Sequence, residues 1–198
     1  MGKIFCLLGK SCSGKDTLFK ALSIDKDLKL RPIIIYTTRP RRSNEINGRE
    51  YYFINEAALH DYEGIGKIIE QREYNTIKGK WHYCTVDDGQ IDLVKDNYLL
   101  IGTLEAFQKL QSYFGVANIV PIYITVNDEV RLMRAISRER QQDQPNYDEV
   151  CRRFLADSRD FSPEKLIACG ILATYYNSNL KDCLQTVKAA IKTAISSQ

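Results

Sequence analysis

Gly9-Lys10-Ser11-Cys12-Ser13-Gly14-Lys15-Asp16-Thr17 decides how this chain is read. The spacing is G-x-x-x-x-G-K, and each residue type in it has a physical reason. Glycines let successive backbone N–H groups curl around phosphate oxygens. A helix that starts at the lysine aims its positive end at the anion. Lys15 then reaches the β- and γ-phosphates, and the Thr17 hydroxyl is the natural partner of a phosphate-bound Mg²⁺. As a bare pattern the motif recurs by chance, so its flanks matter. Residues 3–8 are a short apolar run that reads as a buried strand, and residues 16–22 read as a helix. That strand–loop–helix order is what the mechanism requires. The loop residues Gly9, Ser11, Cys12, Ser13, Gly14, Lys15, Asp16 and Thr17 are the expected ATP contacts.

Outward from the loop, further strands are expected at residues 33–36, 98–101, 119–126 and 171–176, with helices at 104–114, 147–159 and 180–195. Asp87 is expected to cap a helix running to about Lys95, and Asn127 to cap the helix after residue 126. Residues 141–146, with Pro145, read as a loop. Buried strands alternating with helices predict an α/β fold, a parallel sheet covered by helices on both faces. Shorter, more polar strands at 51–54, 67–74 and 81–86, around a helix near 56–62, interrupt that alternation and read as an inserted lobe.

Composition sets few limits. The chain has 198 residues, a net charge of +3 and 44% hydrophobic residues, ordinary for one globular domain. The six cysteines have neither C-x-x-C pairing nor zinc-ligand spacing, so reduced thiols in a cytoplasm are expected. The N-terminus does not read as a signal peptide, and no apolar run approaches membrane-span length.

A second motif narrows the function. Tyr36-Thr37-Thr38-Arg39-Pro40-Arg41-Arg42, continuing through Glu45, Gly48 and Tyr51 to Phe53, resembles the T-T-R-x-x-R-x-x-E-x-x-G-x-x-Y-x-F segment of guanylate kinases. With the phosphate loop upstream the match is specific, and it continues more weakly to the C-terminal helix. The resemblance implies a P-loop kinase with a small β-rich acceptor-binding lobe and a lid. The implied division is a core at 1–38 with the phosphate loop, a nucleoside monophosphate lobe at 39–86, core at 87–133, a lid region at 134–153 and core at 154–198.

It also implies residue roles. Arg39 and Arg42 hold the acceptor phosphate, with Tyr51 as partner hydroxyl; planar guanidinium forks suit that task. Glu70 reads guanine N1–H and its exocyclic amine. Tyr83 and Thr85 stand near the acceptor, with Cys84 in place of the usual glycine. Arg134, Arg138 and Arg153 match lid arginines and, with Lys15 and Arg42, form the catalytic set. Asn177 matches an asparagine near the adenine. Arg131, Arg134 and Arg138 share one helix face, where like charges repel until an anion arrives. Insertions are implied around residues 75–80 and 139–148.

Two positions depart from the family pattern. Ile35 stands where a serine is usual, and Leu100-Ile101-Gly102 where Asp-x-Asp is usual. Asp16, beside Thr17, is then placed to orient the water shell of Mg²⁺ in their stead. The implied reaction moves the γ-phosphoryl group of ATP onto GMP, with Mg²⁺ and small nucleotides as the partners rather than nucleic acid or membrane, in a monomer or homodimer. A related kinase acting on ribose bisphosphate is one alternative, since such enzymes carry a similar Gly-Lys-Asp-Ser loop. A non-catalytic peptide-binding module is another, although those generally have a degraded loop.

Overall fold

β1 (Ile4–Leu8) is buried at every residue and lies at the centre of the molecule. A computed structural model describes residues 1–76 and 79–197. β1 pairs in parallel with β7 (Asn97–Ile101) on one side and β8 (Ile119–Thr125) on the other. β2 (Leu30–Pro32) and β9 (Thr174–Tyr176) complete a five-stranded parallel sheet in the order β2-β7-β1-β8-β9. Ile4, Cys6 and Leu8 join one core with Phe107 and Leu110 of α3 (Leu104–Phe114). Phe5 and Leu7 join another with Leu18 and Leu22 of α1 (Lys15–Ser23) and with Val187 and Ile191 of α7 (Leu180–Ser196). Both faces are covered, so the strand reads as an unbroken apolar run rather than an alternating one.

A second sheet, in the order β4-β3-β6-β5, consists of β3 (Tyr36–Thr37), β4 (Tyr52–Phe53), β5 (Ile68–Thr76) and β6 (Gly79–Val86). Its own small core gathers Tyr36, Cys84 and Val86 with Leu59 of α2 (Glu56–Gly64). Residues 77 and 78, inside the insertion expected at 75–80, lie outside the described residues.

Several expectations need correction. The strand expected at 33–36 is two: Leu30–Pro32 belongs to the parallel sheet and Tyr36–Thr37 to the second sheet. Between them the chain changes sheets, and the Ile34 N–H goes to the Gln90 side chain at 2.9 Å rather than to a ladder. The helix expected from Asp87 does not form. The Asp88 and Asp92 carboxylates each accept the backbone N–H two residues on, from Gln90 at 2.9 Å and Val94 at 3.0 Å, and such local bonds compete with helix. The last core strand is shorter than 171–176 and begins at Thr174.

Asn127 stands at the start of α4 (Asp128–Glu139), but its side chain caps nothing. It accepts instead from the Tyr176 hydroxyl. A short helix, α6 (Pro163–Ala168), was not anticipated, although Ser162 and Pro163 are good start signals. α5 (Tyr147–Asp160) precedes it and is capped by Asn146.

Candidate active site

The loop at residues 9–14 leaves the end of β1 and enters α1. Gly9 has φ of 148°, and a Cβ there would lie 2.3 Å from the Ile124 carbonyl oxygen. Gly14 has φ of 94°, and its Cβ would lie 2.1 Å from Nδ2 of Asn177. Both positions therefore need glycine. Lys15 curls back over the loop, its Nζ donating to the Lys10 carbonyl at 3.4 Å. Burial holds its ammonium below the usual lysine pKa, with the Asp16 and Asp157 carboxylates opposing that shift. An anionic phosphate would reverse this penalty. Asn177, buried at the end of β9, donates from Nδ2 to the Ser13 carbonyl at 2.7 Å. It braces the loop.

Arginines from α4 and α5 converge on the same loop. Arg134 donates to the Cys12 carbonyl at 3.4 Å, and Arg153 to the Ser11 hydroxyl at 3.3 Å. Arg138 is exposed and lines the cavity between Ser11, Cys12 and α5. Arg131 is different. It is 2% exposed, bonds to Asp128 and Asp157 at 3.0 Å each, and lies 4.1 Å from the centre of the Phe154 ring. Repulsion along the helix face is thus relieved at Arg131 by carboxylates rather than by a ligand. Asp157 also accepts the Ser11 backbone N–H at 2.8 Å, which ties α5 to the loop.

The opposite wall comes from the second sheet. Arg39 is 4% exposed, and its guanidinium forks onto Glu45 at 2.8 and 3.0 Å. Its charge also lies 5.3 Å from the Tyr51 ring centre and 5.5 Å from that of Phe53. Arg42 is exposed, and its backbone N–H donates to the same Glu45 carboxylate at 2.8 Å. Tyr51 meets Tyr83 edge to face, with ring centres 5.7 Å apart. Burial, and after it Tyr83, raises the Tyr51 phenol pKa; Arg39 lowers it and the Asp16 carboxylate raises it further. Asp16, in the first turn of α1, is thus close enough to act on the Tyr51 phenol, so the loop and this wall are neighbours.

Deeper on the wall, Glu70 is 2% exposed. Its carboxylate accepts from the Thr85 hydroxyl at 2.8 Å and from Arg72 at 3.0 and 3.1 Å. Ile35 packs against the core, and the Gly102 Cα faces Cys6 so closely that a Cβ would lie 2.9 Å from its sulfur. An acidic side chain at residue 102 would have to displace Cys6. Burial pushes the Cys6 thiol up to about 12, so it is an inert filler there.

The hard oxygens that could face Mg²⁺ are those of Asp16 and Thr17, both exposed in the first turn of α1. Among the described residues no group of three or more His, Cys, Asp or Glu forms a metal cage. That donor set fits a cation that arrives on nucleotide phosphates and keeps most of its waters.

Comparison with known proteins decides the family. The guanylate kinase family model matches residues 1–149 of the 198. This chain belongs to the guanylate kinase family. A guanylate kinase of Cupriavidus metallidurans is 29% identical over 201 aligned residues, covering 100% of this chain and 87% of that protein. One from Paraburkholderia xenovorans is 27% identical, covering 100% of this chain and 84% of that protein. The crystal structure of guanylate kinase from Anaplasma phagocytophilum shares the fold at a TM-score of 0.65 and 18% identity, covering 97% of this chain and 85% of that one.

For a member of this family, three residues escaped the sequence reading. Glu45 lay inside the quoted motif without a role, although its carboxylate binds both the Arg39 guanidinium and the Arg42 backbone N–H. Arg72 was legible in principle, since residues two apart on a strand share a face and Glu70 is its neighbour. Asp157 had no local signal; its partners are 26 and 146 residues away.

Proposed function

We propose that this chain transfers the γ-phosphoryl group of ATP to GMP, giving ADP and GDP. The observation that supports it most is the facing arrangement of two charged surfaces. The loop with Lys15, Arg134 and Arg153 lies on one side, and the wall from Arg39 and Tyr51 down to Glu70 on the other. The first surface suits a triphosphate and the second a monophosphate with a base. Transfer between two phosphates needs no protein base, because the acceptor is already an anion; positioning and charge neutralisation do the chemistry.

In this reading residues 39–86 form the acceptor lobe and residues 134–153 the lid. Gly9, Ser11, Cys12, Ser13 and Gly14 cradle the ATP phosphates. Lys15, Arg134, Arg138 and Arg153 offset the charge that builds on the transferred group. Arg39, Arg42, Tyr51 and Tyr83 hold the acceptor phosphate. Mg²⁺ bound to the ATP phosphates would supply further charge neutralisation, with Thr17 and Asp16 beside it. Intact Gly9, Gly14, Lys15 and Thr17 weigh against a non-catalytic scaffold. Among the described residues no helix is long and apolar enough to cross a membrane. All six cysteines are free, which supports a reducing cytoplasm as the compartment.

The test is a coupled assay with ATP and Mg²⁺ and a panel of GMP, AMP, UMP, CMP and ribose phosphates. GMP is expected to exceed AMP by at least 100-fold in kcat/KM. Adenine puts a bare ring nitrogen where Glu70 needs a donor, and a site left unpaired in that way rejects its ligand strongly. An AMP or ribose phosphate rate equal to that with GMP would overturn the assignment.

A further inference from the structure

We propose that Gln90 is a positioning residue for phosphoryl transfer. Its side-chain amide ties together the two chain segments that join the sheets, and it sets the arc along which Arg39 and Tyr51 swing toward the phosphate loop. This rests on the acceptor-lobe reading above and deepens it.

Two segments connect the parallel sheet with the second sheet. On the outgoing one, the Ile33 N–H still donates to the Leu99 carbonyl of β7 at 2.9 Å. The Ile35 carbonyl already accepts the Tyr52 N–H of β4 at 3.0 Å. Ile34 lies between them and belongs to neither sheet. On the return, the Asp87 N–H still donates to the Lys67 carbonyl beside β5 at 2.8 Å. The Asp92 N–H already donates to the Tyr98 hydroxyl of β7 at 2.8 Å. Gln90 lies between those two. Each connection therefore has its own crossing point, one at Ile34 and the other at Gln90.

The two crossing points are bonded to each other. Gln90 Oε1 accepts the Ile34 N–H at 2.9 Å, and Nε2 donates to the Ile34 carbonyl at 3.2 Å. A primary amide has a carbonyl acceptor and two N–H donors, so it can satisfy both backbone groups of a residue outside any ladder. Nε2 also donates to Asp88 Oδ2 at 3.3 Å, which accepts the Tyr36 hydroxyl at 2.6 Å. A neighbouring strand would hold Ile34 in one orientation. A side chain with rotatable bonds can follow it through a rotation without leaving a polar group unpaired. Hinges absorb such motion at a few residues at the ends of elements. Gly89, beside Gln90, has φ of 85°, and a Cβ there would meet nothing within 4 Å beyond its chain neighbours. What moves beyond the hinge is stiff. Thr37 Oγ1 donates to the His82 carbonyl of β6 at 2.8 Å and accepts the Arg39 N–H at 3.1 Å. A turn at Ile34 is thus carried to Arg39 with little slack. Away from this hinge, exposed Lys109 of α3 donates to the Gln71 carbonyl of β5 at 3.2 Å, and its flexible stem can follow.

The test compares the wild-type protein with Gln90→Met, using ATP, GMP and Mg²⁺. Methionine keeps the length and bulk of glutamine but makes neither hydrogen bond. kcat is expected to fall about tenfold and KM for GMP to rise about tenfold, since changes at a hinge move both together. KM for ATP is expected to stay within about twofold, because the phosphate loop and Asn177 are held by the core. Loss of stability alone would lower the apparent kcat through the unfolded fraction and leave both KM values as they were. With a bisubstrate analogue, small-angle scattering should show less compaction in the variant than in wild type. An unchanged KM for GMP in a variant with native circular dichroism overturns the proposal. So does an equal rise in both KM values, which marks a general distortion, or compaction equal to that of wild type. If Gln90→Met does not fold, Gln90→Glu is read by the same criteria; it keeps the acceptor for the Ile34 N–H and loses the donor to the Ile34 carbonyl. Absence of turnover by the wild type with every nucleotide would overturn the kinase reading along with this one. Wild-type turnover of GMP with an unmoved KM in the variant overturns this one alone.

Discussion

At the residue scale, the side chains that matter are those whose charge is held in place by another. Burial destabilises the Lys15 ammonium, which donates to the Lys10 carbonyl, so a phosphate anion would stabilise its charge. Lys15→Ala is expected to fold normally and to lose about 10²–10³ in kcat, the usual cost of one charge-stabilising donor; circular dichroism and steady-state kinetics check both halves. Arg39 depends on Glu45, whose carboxyl pKa is held below the usual glutamate value, first by the Arg39 hydrogen bond. The folded pKa being lower than the unfolded one, this pair stabilises fully above the unfolded value of about 4.3. Its contribution disappears as pH falls through the depressed folded value. Glu45→Gln should therefore melt below wild type at pH 7, and the two Tm curves should converge between about pH 5 and pH 3. Parallel curves would remove Glu45 as the anchor. The types and spacing of these residues were legible because phosphate chemistry demands them. The pairings were not, because Glu45 to Arg39 and Arg72 to Glu70 are choices among several nearby charges that only packing makes.

At the element scale, periodicity located what was buried and missed what was held by local polar bonds. α3 has the expected bounds because its apolar stripe and Thr103 cap agree. The segment from Asp87 forms no helix, since Asp88 and Asp92 take nearby backbone donors first. α4 and α5 were foreseen as arginine carriers, yet their attachment to the phosphate loop through Arg131 and Asp157 joins residues far apart in sequence. That attachment predicts a measurable linkage. Asp157→Ala leaves the Arg131 charge buried with Asp128 alone and frees the Ser11 N–H. The expected loss is about 3 kcal/mol in urea unfolding, at the low end for a broken buried pair because one carboxylate remains. KM for ATP should rise as well, since Arg153 and Arg134 lose their common frame. An unchanged KM with lowered stability would make the pair a packing feature only.

At the scale of the whole molecule, the parallel sheet carries the loop, and the second sheet holds Glu70 and borders Arg39 and Tyr51; the proposed reaction requires the two kinds of charge to meet. Arg42, in the loop between β3 and β4, and Arg138, on α4, are both exposed. Convergence on one transferred group predicts compaction when a bisubstrate analogue binds, and it would exclude water as a competing acceptor. Small-angle scattering should show a smaller radius of gyration with the analogue than without, and no change would count against closure. The two-sheet division was readable from polar strands interrupting an apolar alternation, whereas the cleft between them depends on contacts with no sequence signature. The brace from Asn177 to the Ser13 carbonyl has a consequence for how the chain is made. The phosphate loop is synthesised before β8, which pairs with β1 beside it, and before Asn177, and both follow it by more than a hundred residues. Translation proceeds at about 5–20 residues per second. For several seconds, then, the loop exists as sequence without shape, and a nascent chain stalled before residue 177 should not retain ATP.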